Sequence, residues 1–238
     1  MADASHTVLK WISDQYRWHL AGRCSGIWHF VTRPFRIKRR ILGKRNVILN
    51  QASKIARLAV RIRGDDNVFE AAAQARLGRV VVDVRGNGNR ILINGEAFLE
   101  RASFYIVGDH CSIVIGRRTY IAGGVFVAAE SNTNISLGDS CMLANDVVIR
   151  TGDSHGIFDR TSGVRLNPGA DVRIGTKVWL AHRVTVLKGA TIPDGCIVGT
   201  GAIVTKTLDA PHAVYAGHPA RKLRDNVAWG WGLEAADQ

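Results

Sequence analysis

A histidine flanked by two aspartates is the group in this sequence best suited to proton transfer. The segment reads Asp153-Ser154-His155-Gly156-Ile157-Phe158-Asp159, with one carboxylate two residues before the imidazole and one four residues after it. A neutral imidazole can take a proton from an alcohol near neutral pH, and a nearby carboxylate can hold the ring in one tautomer. These residues fit general-base catalysis, with Asp153 as orienting partner and Asp159 as its rival. Solvated loop side chains are the alternative for all three.

The elements that must position this segment are set by a six-residue repeat. A period of six fits neither a helix nor a simple alternating strand, but it fits a very short strand followed by a corner. Three such units predict a triangular coil of about 18 residues, with the aliphatic side chain pointing inward. The repeated aliphatics are Ile115, Ile121 and Val127; Leu137, Leu143 and Ile149; and Ile174, Leu180, Val186, Ile192, Val198 and Val204.

A longer repeat precedes the six-residue one. Ile62-Arg63-Gly64-Asp65, Val84-Arg85-Gly86-Asn87 and Ile106-Val107-Gly108-Asp109 follow one another at 22-residue intervals, which predicts wider coils leading into the regular ones. The regular repeat stops after Ile149 and resumes at Ile174, so His155 is expected in a loop inserted into a solenoid. Such loops often carry function.

The repeat and the inserted segment resemble the hexapeptide-repeat acyltransferases, in particular the sugar and capsule polysaccharide O-acetyltransferases. The resemblance covers residues 61–225 and is strongest over 135–224. It implies an all-β solenoid, a left-handed parallel β-helix. One departure is Ala181, where the family usually has glycine, so that a methyl group narrows a corner. The resemblance is carried by 153–159, Asn167-Pro168, Val178-Trp179-Leu180-Ala181 and Ala216-Gly217-His218-Pro219-Ala220-Arg221.

The same resemblance implies a reaction. His155 would remove the proton of an acceptor hydroxyl, oriented by Asp153, and the oxygen would attack the thioester of acetyl-coenzyme A (acetyl-CoA) directly. Backbone N–H groups, helped by Trp179, would stabilise the oxyanion. No covalent acyl-enzyme is expected, because no Cys or Ser has an evident partner base. Homologues of this kind are trimers with the site between subunits, so a homotrimer is expected.

The resemblance also implies binding residues for both substrates. Glu130 and Asn132 are the candidates for contact with a saccharide acceptor, although a plain turn is the alternative there. His182 is a further candidate for ligand contact, with a corner residue as the alternative. The expected donor-binding residues are Trp179, Lys188, Gly201, Ala202, Thr205, Lys206, Arg221 and Arg224.

Neither a metal site nor a disulfide framework is expected. The four cysteines are widely spread with no C-x-x-C pair, which is typical of a reducing compartment. His110, His155 and His182 are separated by 45 and 27 residues, and no two histidines have the H-x4-H spacing. A histidine-ligated metal centre is therefore disfavoured.

The positive charge lies almost entirely near the N-terminus. The chain of 238 residues carries a net charge of +12; residues 1–63 hold 14 Lys/Arg and two acids, whereas residues 64–238 hold 18 of each. Residues 7–21 are compatible with an amphipathic helix. We therefore expect residues 1–60 to form a basic segment, 61–225 the catalytic β-helix and 226–238 a tail. The basic segment is interpreted as a helical cap or as an arm for an anionic membrane or polysaccharide; nucleic acid is disfavoured.

These features together predict an O-acetyltransferase for a sugar hydroxyl of a surface polysaccharide or its precursor. The N-terminus lacks the features of a signal peptide, and no stretch approaches the roughly 20 apolar residues of a membrane span. A cytoplasmic location is expected, at the inner face of the membrane if the basic segment docks there. The alternatives are N-acetylation of an amino sugar, acetylation of another small acceptor, or a non-catalytic β-helix scaffold.

Overall fold

The chain folds as an all-β solenoid in the region that the structure, a computed structural model, describes, namely residues 36–232. Its strands pair in parallel from coil to coil, except for the last, which pairs antiparallel with its predecessor. The strands are β1 Arg36–Leu42, β2 Val47–Asn50, β3 Lys54–Arg63, β4 Val68–Ala71, β5 Arg76–Arg85, β6 Arg90–Ile93, β7 Phe98–Val107, β8 Ser112–Ile115, β9 Tyr120–Ile121, β10 Gly124–Ala128, β11 Asn134–Leu137, β12 Met142–Leu143, β13 Val147–Arg150, β14 Val172–Ile174, β15 Trp179–Leu180, β16 Thr185–Val186, β17 Thr191–Ile192, β18 Ile197–Val198, β19 Ile203–Val204, β20 Val214–Ala216 and β21 Arg221–Arg224.

The first coils are wide because each contains one strand of up to ten residues. β3, β5 and β7 lie side by side, and Ile62, Val84 and Ile106 stand opposite one another in register. All three side chains are buried. The 22-residue repeat therefore marks successive coils, as predicted.

Glycine ends each of these long strands for a steric reason. Gly64 has a φ of 129° and Gly86 a φ of 136°, a region that side chains rarely enter. A Cβ atom on Gly64 would lie 2.1 Å from the carbonyl oxygen of Gly86 in the next coil. Close stacking of the coils at this corner is thus possible only without a side chain.

A buried ladder of asparagines lines the following corner. Asn89 Nδ2 donates to Asn67 Oδ1 at 2.9 Å, and Asn67 Nδ2 donates to Asn46 Oδ1 at 3.0 Å. The backbone N–H of Cys111 donates to Asn89 Oδ1 at 2.8 Å and continues the ladder. Each side-chain amide thereby satisfies polar groups that the corner buries.

The regular coils follow the six-residue repeat, with one correction. Thr185 pairs with Ile203, so successive coils there differ by 18 residues. The aliphatics from Ile174 to Val204 are buried, as predicted. Val127, however, faces outward, and Phe126 takes the inward position. The corner before β10 is one residue shorter than the repeat requires, which reverses the faces of the strand.

The solenoid begins earlier than the sequence analysis predicts. β1, β2 and the start of β3 occupy residues 36–60, so this part of the predicted basic segment is strand. The helix expected over residues 7–21 lies outside the described residues. At the other end, Trp229 remains buried and donates from Nε1 to the carbonyl oxygen of Lys177 at 2.7 Å. Within residues 36–232 there is no helix with the length and apolar character needed to span a bilayer.

Candidate active site

A long loop interrupts one coil of the solenoid and carries the candidate base. Val148 pairs with Thr185, 37 residues later, whereas Thr185 pairs with Ile203, 18 residues later. The coil therefore contains 19 additional residues, which lie within the loop 151–171 between β13 and β14. This is the insertion that the interrupted repeat predicts.

His155 is exposed on this loop, but its backbone is held in place. Asn167 Nδ2 donates to the carbonyl oxygen of His155 at 2.8 Å, and Asn167 Oδ1 accepts from the N–H of Ile157 at 2.6 Å. Asn167 itself is buried. An accessible imidazole on a fixed backbone is the arrangement that a general base requires.

Asp153 binds the solenoid and not the imidazole, which corrects the predicted orienting contact. Its Oδ2 lies 2.6 Å from Lys188 Nζ and 2.8 Å from Asn167 Nδ2. The hydrogen bond from Lys188, with that from Asn167 second, lowers the pKa of the Asp153 carboxyl group. Asp153, Asn167 and Lys188, which we call the loop latch, fasten the segment around His155 to the following coil.

Asp159, the rival partner, is occupied by its own turn. It accepts hydrogen bonds from the N–H groups of Thr161 and Ser162 and from the Ser162 hydroxyl group, at 2.7 to 3.0 Å. The backbone N–H of Ser162 is the main cause of its lowered pKa. Among the described residues, no hydrogen bond joins the His155 ring to either aspartate.

Glu130 also fastens the loop, and its contact with an acceptor stays a prediction. Arg165 donates to both carboxylate oxygens of Glu130, at 2.9 and 2.8 Å, and the N–H of Gly169 donates at 2.8 Å. Arg165 is the main cause of the lowered pKa of Glu130. Asn132 is exposed in a turn with a φ of 61°, which agrees with the alternative of a plain turn.

The candidate donor residues differ in their exposure to solvent. Thr205, Lys206, Arg221 and Arg224 are exposed, as a contact with a phosphate group requires. Ala202 is fully buried in the core and therefore cannot line a groove, which corrects that assignment. Gly201 lies at a corner with a φ of 69°, and its carbonyl oxygen contacts the His218 ring. Lys188 is engaged by Asp153 in the loop latch.

Trp179 lies on β15, half-buried, with its ring centroid 6.1 Å from that of Trp229. His182 Nδ1 lies 3.0 Å from the carbonyl oxygen of Asn145, so this ring is positioned by the preceding coil. The contact agrees with the interpretation of His182 as a corner residue.

The cysteines in the described region belong to the core. Cys111, Cys141 and Cys196 are buried and free, and burial raises the pKa of the Cys141 thiol group to about 11. Such thiols are poor nucleophiles near neutral pH. No group of three metal-ligating side chains is found within residues 36–232.

Sequence comparison finds acetyltransferases among the curated proteins, although no family model matches the chain. A polysialic acid O-acetyltransferase of Escherichia coli O1:K1 is 36% identical over 89 residues, which are 37% of this chain and 29% of that protein. The enzyme of the same name from Neisseria meningitidis is 33% identical over 90 residues, 38% of this chain and 42% of that protein. The matched segments thus span less than half of these relatives.

Comparison of folds extends the similarity to most of the chain. The crystal structure of the polySia-specific acetyltransferase NeuO matches with a TM-score of 0.72 and 29% identity, covering 84% of each chain. The polysialic acid O-acetyltransferase OatWY matches with a TM-score of 0.75 and 27% identity, covering 84% of this chain and 94% of that one. Over 84% of its length this chain is similar in fold to these two acetyltransferases. The resemblance stated from the repeat and the loop is therefore confirmed.

In this chain, two residues that position the loop were not singled out by the sequence analysis. Asn167 appeared only as part of a motif, because its partners lie 10 to 14 residues away across the loop. Arg165 likewise reaches Glu130 across 35 residues. No local pattern signals either contact.

Proposed function

We propose that this protein transfers the acetyl group of acetyl-CoA to a sugar hydroxyl group of an anionic surface polysaccharide or its precursor. The observation that carries the proposal is its similarity over 84% of the chain to two enzymes named as acetyltransferases of polysialic acid. The exposed imidazole of His155 on a loop fixed by Asn167 supports the same chemistry.

The reaction follows from the groups present. The His155 imidazole takes the proton of the acceptor hydroxyl group as its oxygen attacks the thioester carbonyl carbon. The tetrahedral intermediate then collapses, the C–S bond breaks, and the leaving thiolate takes the proton from the imidazolium. Backbone N–H groups and the indole N–H of Trp179 stabilise the oxyanion. The buried thiol groups support direct transfer without an acyl-enzyme.

The donor binds along the exposed basic residues, where Lys206, Arg221 and Arg224 neutralise the phosphate groups of the coenzyme. The winding is left-handed and the protein is a homotrimer, with the site completed between subunits. The protein works in the cytoplasm, where acetyl-CoA is made.

The proposal is tested by measuring release of the free thiol group of coenzyme A with polysialic acid as acceptor. Substitution His155→Ala removes the base and is expected to lower kcat by about 100- to 10,000-fold. His110→Asn is the matched control, because His110 is also exposed and asparagine tolerates its φ of 55°. The control is expected to retain near-normal kcat.

Two results would contradict the proposal. Near-normal transfer by His155→Ala would remove the imidazole from the mechanism. Failure of the wild-type protein to bind acetyl-CoA by calorimetry would leave a non-catalytic scaffold as the better explanation.

A further inference from the structure

A column of arginines stands on the outer face of the wide coils. Arg57 on β3, Arg79 on β5 and Arg101 on β7 lie opposite one another in register. Neighbouring strands are about 4.8 Å apart, so the column places three guanidinium-bearing residues within roughly 10 Å. Each arginine precedes the glycine of its coil by seven residues, so the column follows the 22-residue repeat.

Among residues 36–232 the three arginines of the column form no ion pair, and Asp146 is the one acidic residue in the lining of the groove described below. Arg101 donates to the neutral side chain of Asn145 at 2.7 Å. Like charges held this close together repel one another, so an anionic ligand that bridges them relieves the repulsion.

These arginines line a groove of about 600 Å³. Its floor runs across the sheet along a row of small or medium-sized side chains, from Ala59 through Val81, Ser103 and Val125 to Val148. A floor without large side chains leaves the guanidinium groups standing along one edge. An extended chain can lie along the floor and meet one arginine at each coil.

We propose that this groove binds an acidic polysaccharide through its carboxylate groups, so that a polymeric acceptor is held across the wide coils. Guanidinium groups bind carboxylates with paired hydrogen bonds. The lining contains no aromatic side chain, whereas proteins that bind single-stranded nucleic acid stack bases on aromatics. The groove's concave form also suits an extended chain better than the plane of a membrane.

The groove reaches the strand from which the candidate catalytic loop departs. Val148 lines the groove, and two residues later β13 ends at Arg150. Arg150 donates to the carbonyl oxygen of Gly152 at 2.7 Å and to Ser154 Oγ at 3.0 Å. A polymer in the groove therefore lies against the element that leads directly to His155. This inference rests on the proposed function for its choice of acceptor.

The test compares two double variants that remove equal charge from the same two strands. Arg57→Gln/Arg79→Gln alters the groove, and Arg63→Gln/Arg85→Gln alters a paired position outside its lining. Fluorescein-labelled polysialic acid is titrated with each full-length protein in the absence of acetyl-CoA, and anisotropy reports binding. The groove variant is expected to bind about tenfold more weakly, because it loses two surface charge contacts, and the control is expected to bind within twofold of wild type.

Further measurements separate the groove from the chemistry and from other ligands. His155→Ala is expected to bind the polymer like wild type but to lose transfer, so near-normal transfer with retained binding overturns only the proposed reaction. In transfer assays the groove variant is expected to raise KM for the polymer, with little change in kcat or in KM for a trisaccharide. Equal weakening in both double variants, tighter binding of oligo(dT) than of the polymer, or loss of oligomeric state in the groove variant alone would overturn the inference.

Discussion

The residues around His155 show how side chains distant in sequence hold one candidate catalytic group. The loop latch joins Asp153 on the loop to Lys188 on the next coil, with Asn167 between them. The sequence predicts His155 as the base because an imidazole suits proton transfer and its segment resembles the active-site segment of the acyltransferases. Its supports could not be predicted, because Lys188 reaches Asp153 across 35 residues and a surface lysine usually carries no structural information. The sequence analysis instead placed Lys188 among the donor-binding residues.

Breaking the loop latch is expected to change the titration of Asp153. The pKa of Asp153 lies below its ordinary value, so the ionised carboxylate stabilises the fold. This stabilisation is complete at a pH above the ordinary pKa and is lost as the pH falls through the lowered pKa. Lys188→Met removes the hydrogen bond that is the main cause of this lowering, so it should raise the pKa of Asp153. The titration is measured by NMR of the carboxyl group. The cost in unfolding free energy is expected to stay below about 1 kcal/mol, since the pair is partly exposed.

The matched control is Lys206→Met. Lys206 occupies the equivalent corner of the next coil, because Val186 pairs with Val204 and each lysine follows two residues later. An unchanged Asp153 titration in Lys188→Met, or an equal shift in both variants, would show that the ion pair does not govern this carboxyl group.

The strands and corners were the most predictable elements. Both repeat lengths and the position of the insertion follow directly from sequence, because a solenoid imposes the same inward position on every coil. The prediction was wrong where a corner changes length, as before Phe126. It was also wrong over residues 36–60, where basic residues on outward positions masked the strand pattern.

The glycine corners of the wide coils are expected to tolerate no side chain. Gly86→Ala would place a Cβ atom 2.0 Å from the carbonyl oxygen of Gly108 at a φ of 136°. We expect a loss of more than about 3 kcal/mol in unfolding free energy, from backbone strain together with separation of the coils. Gly163→Ala is the control, because nothing lies within 4 Å of its added Cβ atom. Thermal unfolding of both variants measures the two losses in unfolding free energy. An equal loss in both variants would exclude the steric explanation.

At the scale of the whole molecule, the inserted loop presents an apolar surface. Ile157, Phe158, Val164 and Leu166 are each 56% to 60% exposed around a short antiparallel bridge between Phe158 and Arg165. Apolar side chains clustered on a surface mark contacts with another chain. This cluster supports the proposed homotrimer, with a proposed contact on the loop that carries His155.

Substitution of this surface is expected to dissociate the proposed trimer. Phe158→Ser/Leu166→Ser should shift the sedimentation coefficient from that of three chains to that of one, with loss of transfer activity. Leu42→Ser is the control, because Leu42 is similarly exposed at 53% on a wide coil remote in sequence from the loop. A wild-type protein that sediments as a monomer, or a trimer that survives the double substitution, would contradict the proposal.

The shared register of the wide coils has a consequence for how this protein can change in length. Two successive coils each bring a glycine corner, a ladder asparagine and an outward arginine, namely Arg57, Gly64 and Asn67, and Arg79, Gly86 and Asn89. In the following coil, Arg101 and Gly108 are kept, and the backbone N–H of Cys111 continues the ladder. Duplication or loss of one such unit in a gene leaves every neighbouring contact with an equivalent partner. The groove can therefore lengthen or shorten in steps of one strand spacing, and of one positive charge, while the loop 151–171 stays unaltered.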